Sequence, residues 1–256
     1  MNILITGANG YVGTVLYNSL KNEYETYILT RKEANLTDLE QVKKFFYKKH
    51  FDVVVHCAVV GGGRLDEDKA YVMDENLKMY YNLLECESHF NKLIHFGSGA
   101  ENQESYYGWS KKIINESIKG KDKFYNVRIL NVFDENELDY KFIKTNIVNY
   151  INKKDVEIFQ NKYMDFFYMK DLITLIKYYI KNDELPKEID CCYDYSPTLY
   201  SVAQIINSLD TYKVNINFKK WELAPPFNGK FVDLGLNFVG LEQGIKNVYN
   251  KLKNEG

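Results

Sequence analysis

Apolar positions along the chain alternate between strand-like runs and helical spacing. Asn2–Thr6, Thr26–Thr30, Asp52–Cys57, Lys92–Phe96 and Tyr125–Leu130 read as strands. Asp52–Cys57 is nearly continuous in apolar residues, the pattern of a parallel strand buried on both faces. Between these runs, Tyr11–Asn22, Asp38–Lys49, Asp74–Phe90 and Tyr107–Ile118 read as helices; in the second, Leu39, Val42, Phe45 and Phe46 share one face. Regular strand–helix alternation predicts an α/β fold, a doubly wound parallel sheet with right-handed crossovers. Ligands of such sheets sit at the C-terminal strand ends. Here those ends are Gly7–Gly13, Thr30–Arg31, Cys57–Gly63, Gly97–Glu101 and Asn131–Val132.

Beyond Asn131 the alternation loosens. Helices are predicted over Phe142–Asn152, Lys170–Lys181, Ser201–Leu209 and Leu241–Leu252, and strands over Val156–Phe159, Glu188–Tyr193 and Val214–Phe218. Ser196-Pro197, Pro225-Pro226 and Asn228-Gly229 mark turns. The expected division is a sheet domain over 1–130, with 160–182 packing back on it, and a smaller, mixed α/β, discontinuous lobe over 131–256.

Composition narrows the partners. A chain of 256 residues with 45% hydrophobic and 27% charged residues can bury a sizeable core. A net charge of −2 gives no reason to expect nucleic acid or an anionic membrane. No uncharged apolar run approaches the ~18 residues of a membrane span, and no basic segment precedes the first strand, so no signal peptide is expected. Cys57, Cys86, Cys191 and Cys192 lack metal-ligand spacing and are read as reduced thiols of a cytoplasmic protein. His50, His56, His89 and His95 form no metal-binding pattern, so no metal site is expected.

The chemistry begins at the first strand. Gly7, Gly10 and Gly13 follow it at a three-residue step and lead into a helix, the order that places a dinucleotide pyrophosphate on a helix N-terminus. Gly7 permits a sharp turn, Gly10 a close approach to phosphate, and Gly13 close packing of helix on sheet. Tyr107 and Lys111, four apart, lie on one helix face. The same spacing recurs at Tyr17/Lys21, Tyr140/Lys144, Tyr150/Lys154 and Tyr249/Lys253, so spacing alone selects nothing. Only Tyr107 and Lys111 open a helix just after a strand end carrying a hydroxyl, Ser98. At the end of the second strand, where NAD sites place an acid, stands Thr30-Arg31-Lys32. A guanidinium there suits a 2′-phosphate, which favours NADP(H) and leaves NAD(H) open.

Together these residues resemble the extended short-chain dehydrogenase/reductases, the NAD(P)-dependent nucleotide-sugar epimerase/dehydratase family, nearest to GDP-fucose synthase-like 4-ketoreductases. Val127-Arg-Ile-Leu-Asn-Val-Phe133, Met164-Asp-Phe-Phe-Tyr-Met-Lys-Asp171 and Leu241-Glu-Gln-Gly-Ile245 carry the likeness onward, with Met164 where the family usually has Arg. The resemblance implies a Rossmann-type fold with a C-terminal substrate lobe, and Ser98, Tyr107 and Lys111 as catalytic residues. Tyr107 would act as acid/base, with its pKa lowered by Lys111 and the nicotinamide charge; Lys111 would also bind the nicotinamide ribose. It implies cofactor contacts at Gly7, Asn9, Gly10, Tyr11, Val12 and Gly13, then at Arg31, Asn35 and Leu36, and at Cys57, Ala58 and Val59. Tyr107, Lys111, Leu130 and Val132 complete that set. Substrate contacts are expected at Gly62, Arg64, Gly99, Asn131, Trp221 and Lys230, although a Trp such as Trp221 is more often a core residue.

Departures from the family remove its more elaborate reactions. A double epimerase would carry Cys two residues after the catalytic Ser and a downstream His; here stand Ala100 and no His after His95. A dehydratase would carry Asp-Glu where this chain has Gly99-Ala100. Only eight residues separate Ser98 from Tyr107, a short loop for the family. The expectation is an NADP(H)-dependent reductase of a nucleotide-linked 4-keto (deoxy)sugar, serving polysaccharide synthesis as a cytoplasmic homodimer paired through the Tyr107 helix. An NAD-dependent nucleotide-sugar 4-epimerase is the alternative, and a non-catalytic NAD(P)-sensing protein the rival from another class.

Overall fold

The computed structural model describes residues 1–63 and 67–255; Arg64, one of the expected substrate contacts, lies outside them. The strand and helix runs become β1 (Asn2–Thr6), α1 (Tyr11–Leu20), β2 (Glu25–Leu29), α2 (Leu39–Phe46), β3 (Phe51–His56), α3 (Ala70–Leu84), β4 (Phe90–Ser98), α4 (Tyr106–Lys119) and β5 (Phe124–Ile129). Then follow β6 (Val132–Phe133), α5 (Phe142–Ile151), β7 (Val156–Gln160), β8 (Phe167–Tyr168), α6 (Met169–Lys181), β9 (Glu188–Cys191), α7 (Leu199–Ile206), β10 (Ile216–Lys220) and α8 (Leu241–Glu255).

Met1–Ile129 and Lys177–Ile189 form one unit. Its sheet has the order β2-β1-β3-β4-β5-β9, and β1 pairs in parallel with both β2 and β3, as β4 does with β3 and β5. The chain leaves β1 toward β2 and returns to β3 on the other side. Strand order therefore reverses at β1, and a crevice opens at the C-terminal ends there. Ile3, Leu4, Ile5, Val54, Val55, Leu93 and Ile94 are fully buried, as strands covered on both faces must be. One face packs Leu4, Val54 and Leu93 against Phe46 of α2, Tyr80 and Leu83 of α3, and Ile118 of α4. Lys92 is buried in this unit. Its ammonium donates to the carbonyls of Tyr179 (2.8 Å) and Asn182 (2.7 Å) and pairs with Asp183 at 2.9 Å, closing the C-terminus of α6.

Leu130–Ile176 and Asp190–Gly256 form the second unit. It holds two small parallel pairs, β7 with β10 and β6 with β8. Asp171, the last acid of the Met164–Asp171 segment, accepts the N–H groups of Val239 (2.7 Å) and Gly240 (3.0 Å), and the hydroxyl of Tyr193 at 2.6 Å. It thus fixes the chain entering α8. Tyr150 stacks on Tyr212 at 4.6 Å, and each hydroxyl donates to the other's carbonyl.

Some boundaries differ from the sequence reading for local reasons. α2 ends at Phe46 rather than Lys49, because Lys48 takes φ 58°. α7 starts at Leu199 rather than Ser201, because the Thr198 hydroxyl caps it through the Ser201 N–H. The helix expected over Asp74–Phe90 runs over Ala70–Leu84, and its last residues become a short 3-10 turn and the start of β4. β6 and β8, two residues each, are too short to leave a periodicity. Among the described residues, no helix is long and apolar enough to cross a membrane, and no group of His, Cys, Asp and Glu could hold a metal ion.

Candidate active site

β1 delivers the chain into the glycine turn. Gly7 has φ +65°, and a Cβ there would lie 2.6 Å from the Ala58 backbone. Only glycine permits both the conformation and the approach. A Cβ on Gly13 would lie 2.4 Å from the Gly7 carbonyl oxygen, so Gly13 lets the first turn of α1 rest on the loop before it. Gly10 is the N-cap residue of α1 and brings no side chain to its first-turn amides. An uncapped helix N-terminus is suited to an anion.

The switch point of the sheet is a cleft of about 520 Å³. Gly7, Asn9 and Gly10 line it with Arg31, Asn35 and Leu36 from beyond β2, and Cys57, Ala58 and Val59 from beyond β3. Tyr11, Val12 and Gly13 form the first turn of α1 behind Gly10. The Glu33 carboxylate folds back onto the Thr30 N–H (2.8 Å) and hydroxyl (2.6 Å), shaping the turn that carries Arg31. Arg31 is exposed on the cleft wall and forms no ion pair among the described residues. An anion-ready helix start, glycines without room for a side chain and a guanidinium at the far wall fit a dinucleotide cofactor.

Ser98, Tyr107 and Lys111 come together at the end of β4. The Ser98 oxygen accepts the Ala100 N–H at 3.1 Å, and the Ser98 side chain faces the Tyr107 phenol closely enough to draw its pKa down. A Cβ on Gly108 would lie 2.3 Å from the Ala100 carbonyl oxygen, so glycine there lets α4 close directly onto the short turn after Ser98. Lys111 is buried; its ammonium donates to the Phe96 carbonyl at 2.6 Å and lies 5.7 Å from the Tyr107 ring centroid. Burial draws its pKa down to about 8. Burial also pushes the Tyr107 phenol above its ordinary value, against the pull of the Ser98 side chain; Asp68 and Glu101 push with burial. Without the dinucleotide's charge beside it, desolvation sets the direction of the Tyr107 shift.

Gly62 lies on the Tyr107 ring, and its N–H donates to Asp68 at 2.9 Å. Gly99 opens the turn after Ser98. Leu130, Asn131, Val132, Trp221 and Lys230 belong to the second unit. There the Asn131 amide donates to the Asp165 carbonyl at 2.9 Å, and the Lys230 N–H to Asp190 at 2.7 Å. Trp221 is 84% exposed rather than a core residue, because it stands just past the end of β10, on the edge of a two-stranded sheet.

Several residues at the site received no role from the sequence. Asn76 of α3 clamps the segment after β3, accepting from the Val60 N–H (2.9 Å) and donating to the Val60 carbonyl (3.0 Å). Nothing in an otherwise ordinary helix singled it out. Glu75 also lines the cleft. Glu101 was legible as the fourth residue of a Ser-x-x-Glu capping box, which the structure contains.

The NAD dependent epimerase/dehydratase family model matches residues 3–192. The chain belongs to that family. It is 23% identical over 244 residues to a CDP-abequose synthase of Yersinia pseudotuberculosis, covering 84% of this chain and 86% of that one. The NADP-bound GDP-mannoheptose C4 reductase of Campylobacter jejuni has the same fold, with a TM-score of 0.76 at 18% identity and 98% of each chain covered. So has the UDP-glucuronic acid 4-epimerase of Bacillus cereus, solved with NAD: TM-score 0.75, 19% identity, 100% of each chain. This is a family of NAD(P)-dependent nucleotide-sugar enzymes, and its shared fold holds reductases and epimerases alike.

Proposed function

We propose that the protein reduces a nucleotide-linked 4-keto (deoxy)sugar with NADP(H), using Ser98, Tyr107 and Lys111. The observation that carries this reading is the cluster itself: a phenol facing the Ser98 side chain, with a buried Lys111 one helical turn further on. The glycine turn and Arg31 would hold the dinucleotide, which supplies the hydride when bound. Ser98 would hydrogen-bond the keto oxygen and hold it toward Tyr107. As the carbonyl carbon is reduced, its oxygen takes the phenolic proton of Tyr107. A phenol held above its ordinary pKa is protonated at neutral pH, the state a reduction starts from. Lys111, near half-charged at pH 8, would stabilise the phenolate that remains.

Arg31 supports NADP(H) over NAD(H), since the nearest acid in its turn, Glu33, is committed to Thr30. The second unit supplies the substrate lobe in this reading. Its aromatic row, with exposed Trp221 5.3 Å from half-buried Phe218 and Phe218 5.6 Å from exposed Tyr200, suits a nucleobase. The likeness to a CDP-abequose synthase supports a role in polysaccharide synthesis. We place the enzyme in the cytoplasm as a homodimer paired through α4, where Tyr106 and Trp109 pack edge to face in solvent.

The test is NADPH oxidation on addition of nucleotide 4-keto-6-deoxy sugars. Turnover that Tyr107→Phe removes is the expected result. Interconversion of two sugar nucleotides by protein that arrives with NAD(H) would instead establish the epimerase. Tight NADPH binding with no turnover of any keto-sugar would favour a sensor.

A further inference from the structure

Beneath Ser98 lies a buried polar cluster that the reaction above does not use. Glu101, 5% exposed, sits at its centre. Its Oε1 accepts the Ser98 N–H at 3.2 Å and the Asn126 amide at 3.0 Å. Its Oε2 accepts the Asn115 amide at 3.1 Å and the Arg128 guanidinium at 3.3 Å. The same Arg128 and Asn115 groups also reach Glu188, at 3.3 and 2.9 Å. A Cβ on Gly97 would lie 2.4 Å from Glu101 Oε1, so the strand leaves room for the carboxylate and for nothing more.

The connections have a direction. Tyr107, Lys111 and Asn115 follow at four-residue steps along one face of α4, so the helix carrying the phenol and the ammonium is also tied to Glu101. Asn126 and Arg128 fix the carboxylate to β5. We propose that Glu101 is a positioning residue: one buried carboxylate joins the Ser98 backbone to the Tyr107–Lys111 helix and so sets the distance from the Ser98 hydroxyl to the phenol. A capping glutamate needs only the first of its hydrogen bonds, on the N-cap N–H. The other three, made while buried and shared with an arginine, exceed that role and offset part of the burial that raises the carboxyl's pKa. The inference rests on Ser98, Tyr107 and Lys111 being the working residues.

Glu101→Gln keeps the size and one acceptor but faces Asn115 and Arg128 with a donor. Glu101 does not line the dinucleotide cleft, so NADPH affinity should stay within about threefold of wild type, which also reports folding. For keto-sugar reduction, kcat should fall about 100-fold with KM little changed, the scale of an ångström misplacement of reacting groups. Asn115→Ala, which cuts only the helix tether, should show a smaller loss of the same kind and serves if Glu101→Gln does not fold. A second readout needs no substrate. The charged and titratable groups around Lys111 and Tyr107 are Glu101, Asp68, Cys57, His56 and His95. Removing the Glu101 charge should move the Lys111 amine titration, followed by nitrogen NMR, to lower pH. Glu101→Gln with wild-type kcat, or with an unmoved Lys111 titration, overturns the proposal. If wild type turns over no keto-sugar, the reductase reading fails, and the Lys111 titration alone decides the role of Glu101.

Discussion

Gly62 lies against the face of Tyr107 so closely that a Cβ on it would come within 2.7 Å of the ring's Cζ. Its φ of +76° is one that side chains rarely adopt, and Asp68 holds it there through the Gly62 N–H. The glycine loop thus lies over one face of the ring, and burial raises the phenol's pKa.

Gly62→Ala should therefore disturb the chemistry more than the cofactor. A left-handed alanine costs about 1–2 kcal/mol, and the ring must also move. We expect keto-sugar reduction to fall by about tenfold or more, with NADPH affinity nearly unchanged because Gly62 is not on the cleft wall. Equal losses of both, measured by steady-state kinetics and fluorescence titration, would contradict this.

Arg31→Ala should separate the two dinucleotides. Charge-assisted hydrogen bonds to a 2′-phosphate contribute about 1.5–3 kcal/mol, so NADPH affinity should drop roughly 10- to 100-fold while NADH affinity holds. The loss should shrink as salt is raised, because Arg31 is exposed. A variant that binds NADPH as wild type does would remove Arg31 from the site.

His56 gives the fold an acid-sensitive core. Burial holds its pKa down to about 3, against an ordinary 6.5, and His95 beside it is lowered in the same direction. The unfolded chain binds the proton more readily, so this stability is present above about pH 6.5 and is lost as pH falls toward 3. At pH 5 the His56 term alone amounts to about 2 kcal/mol. Urea unfolding at pH 8 and pH 5 should show the loss, and His56→Gln should reduce it.

Glu137 works in the opposite sense. Burial raises its pKa to about 8 from an ordinary 4.5, so the fold is favoured while the group is protonated. That contribution is full below about pH 4.5 and fades as pH rises through 8. Its Oε1 accepts the Lys144 N–H at 2.9 Å, which a glutamine oxygen can also do. Glu137→Gln should therefore stabilise the protein by roughly 2–3 kcal/mol at pH 7 and by little at pH 4. A denaturant series at both pH values checks it.

The reading of the chain from its sequence was sharpest where periodicity is strong. β1, β3, β4 and α4 came out within two residues or so, because buried parallel strands and an amphipathic helix each impose a pattern on consecutive residues. Gly7, Gly10 and Gly13, and the pair Tyr107 and Lys111, stood out as candidates for the same reason: each set lies within one loop or one helical turn. Neither Glu101 nor Asn76 was singled out, since the partners that matter stand 14 to 34 residues away.

By itself, then, the sequence determined the strand–helix order, the glycine turn and the candidate catalytic residues, all matters of local spacing. Tertiary structure alone decided that Gly62 lies against the Tyr107 ring, that Lys111 donates to the Phe96 carbonyl, that burial raises the Tyr107 phenol, and that Trp221 stands in solvent. These depend on burial and on contacts between distant segments, and desolvation is a property of the packed molecule, not of any run of residues within it.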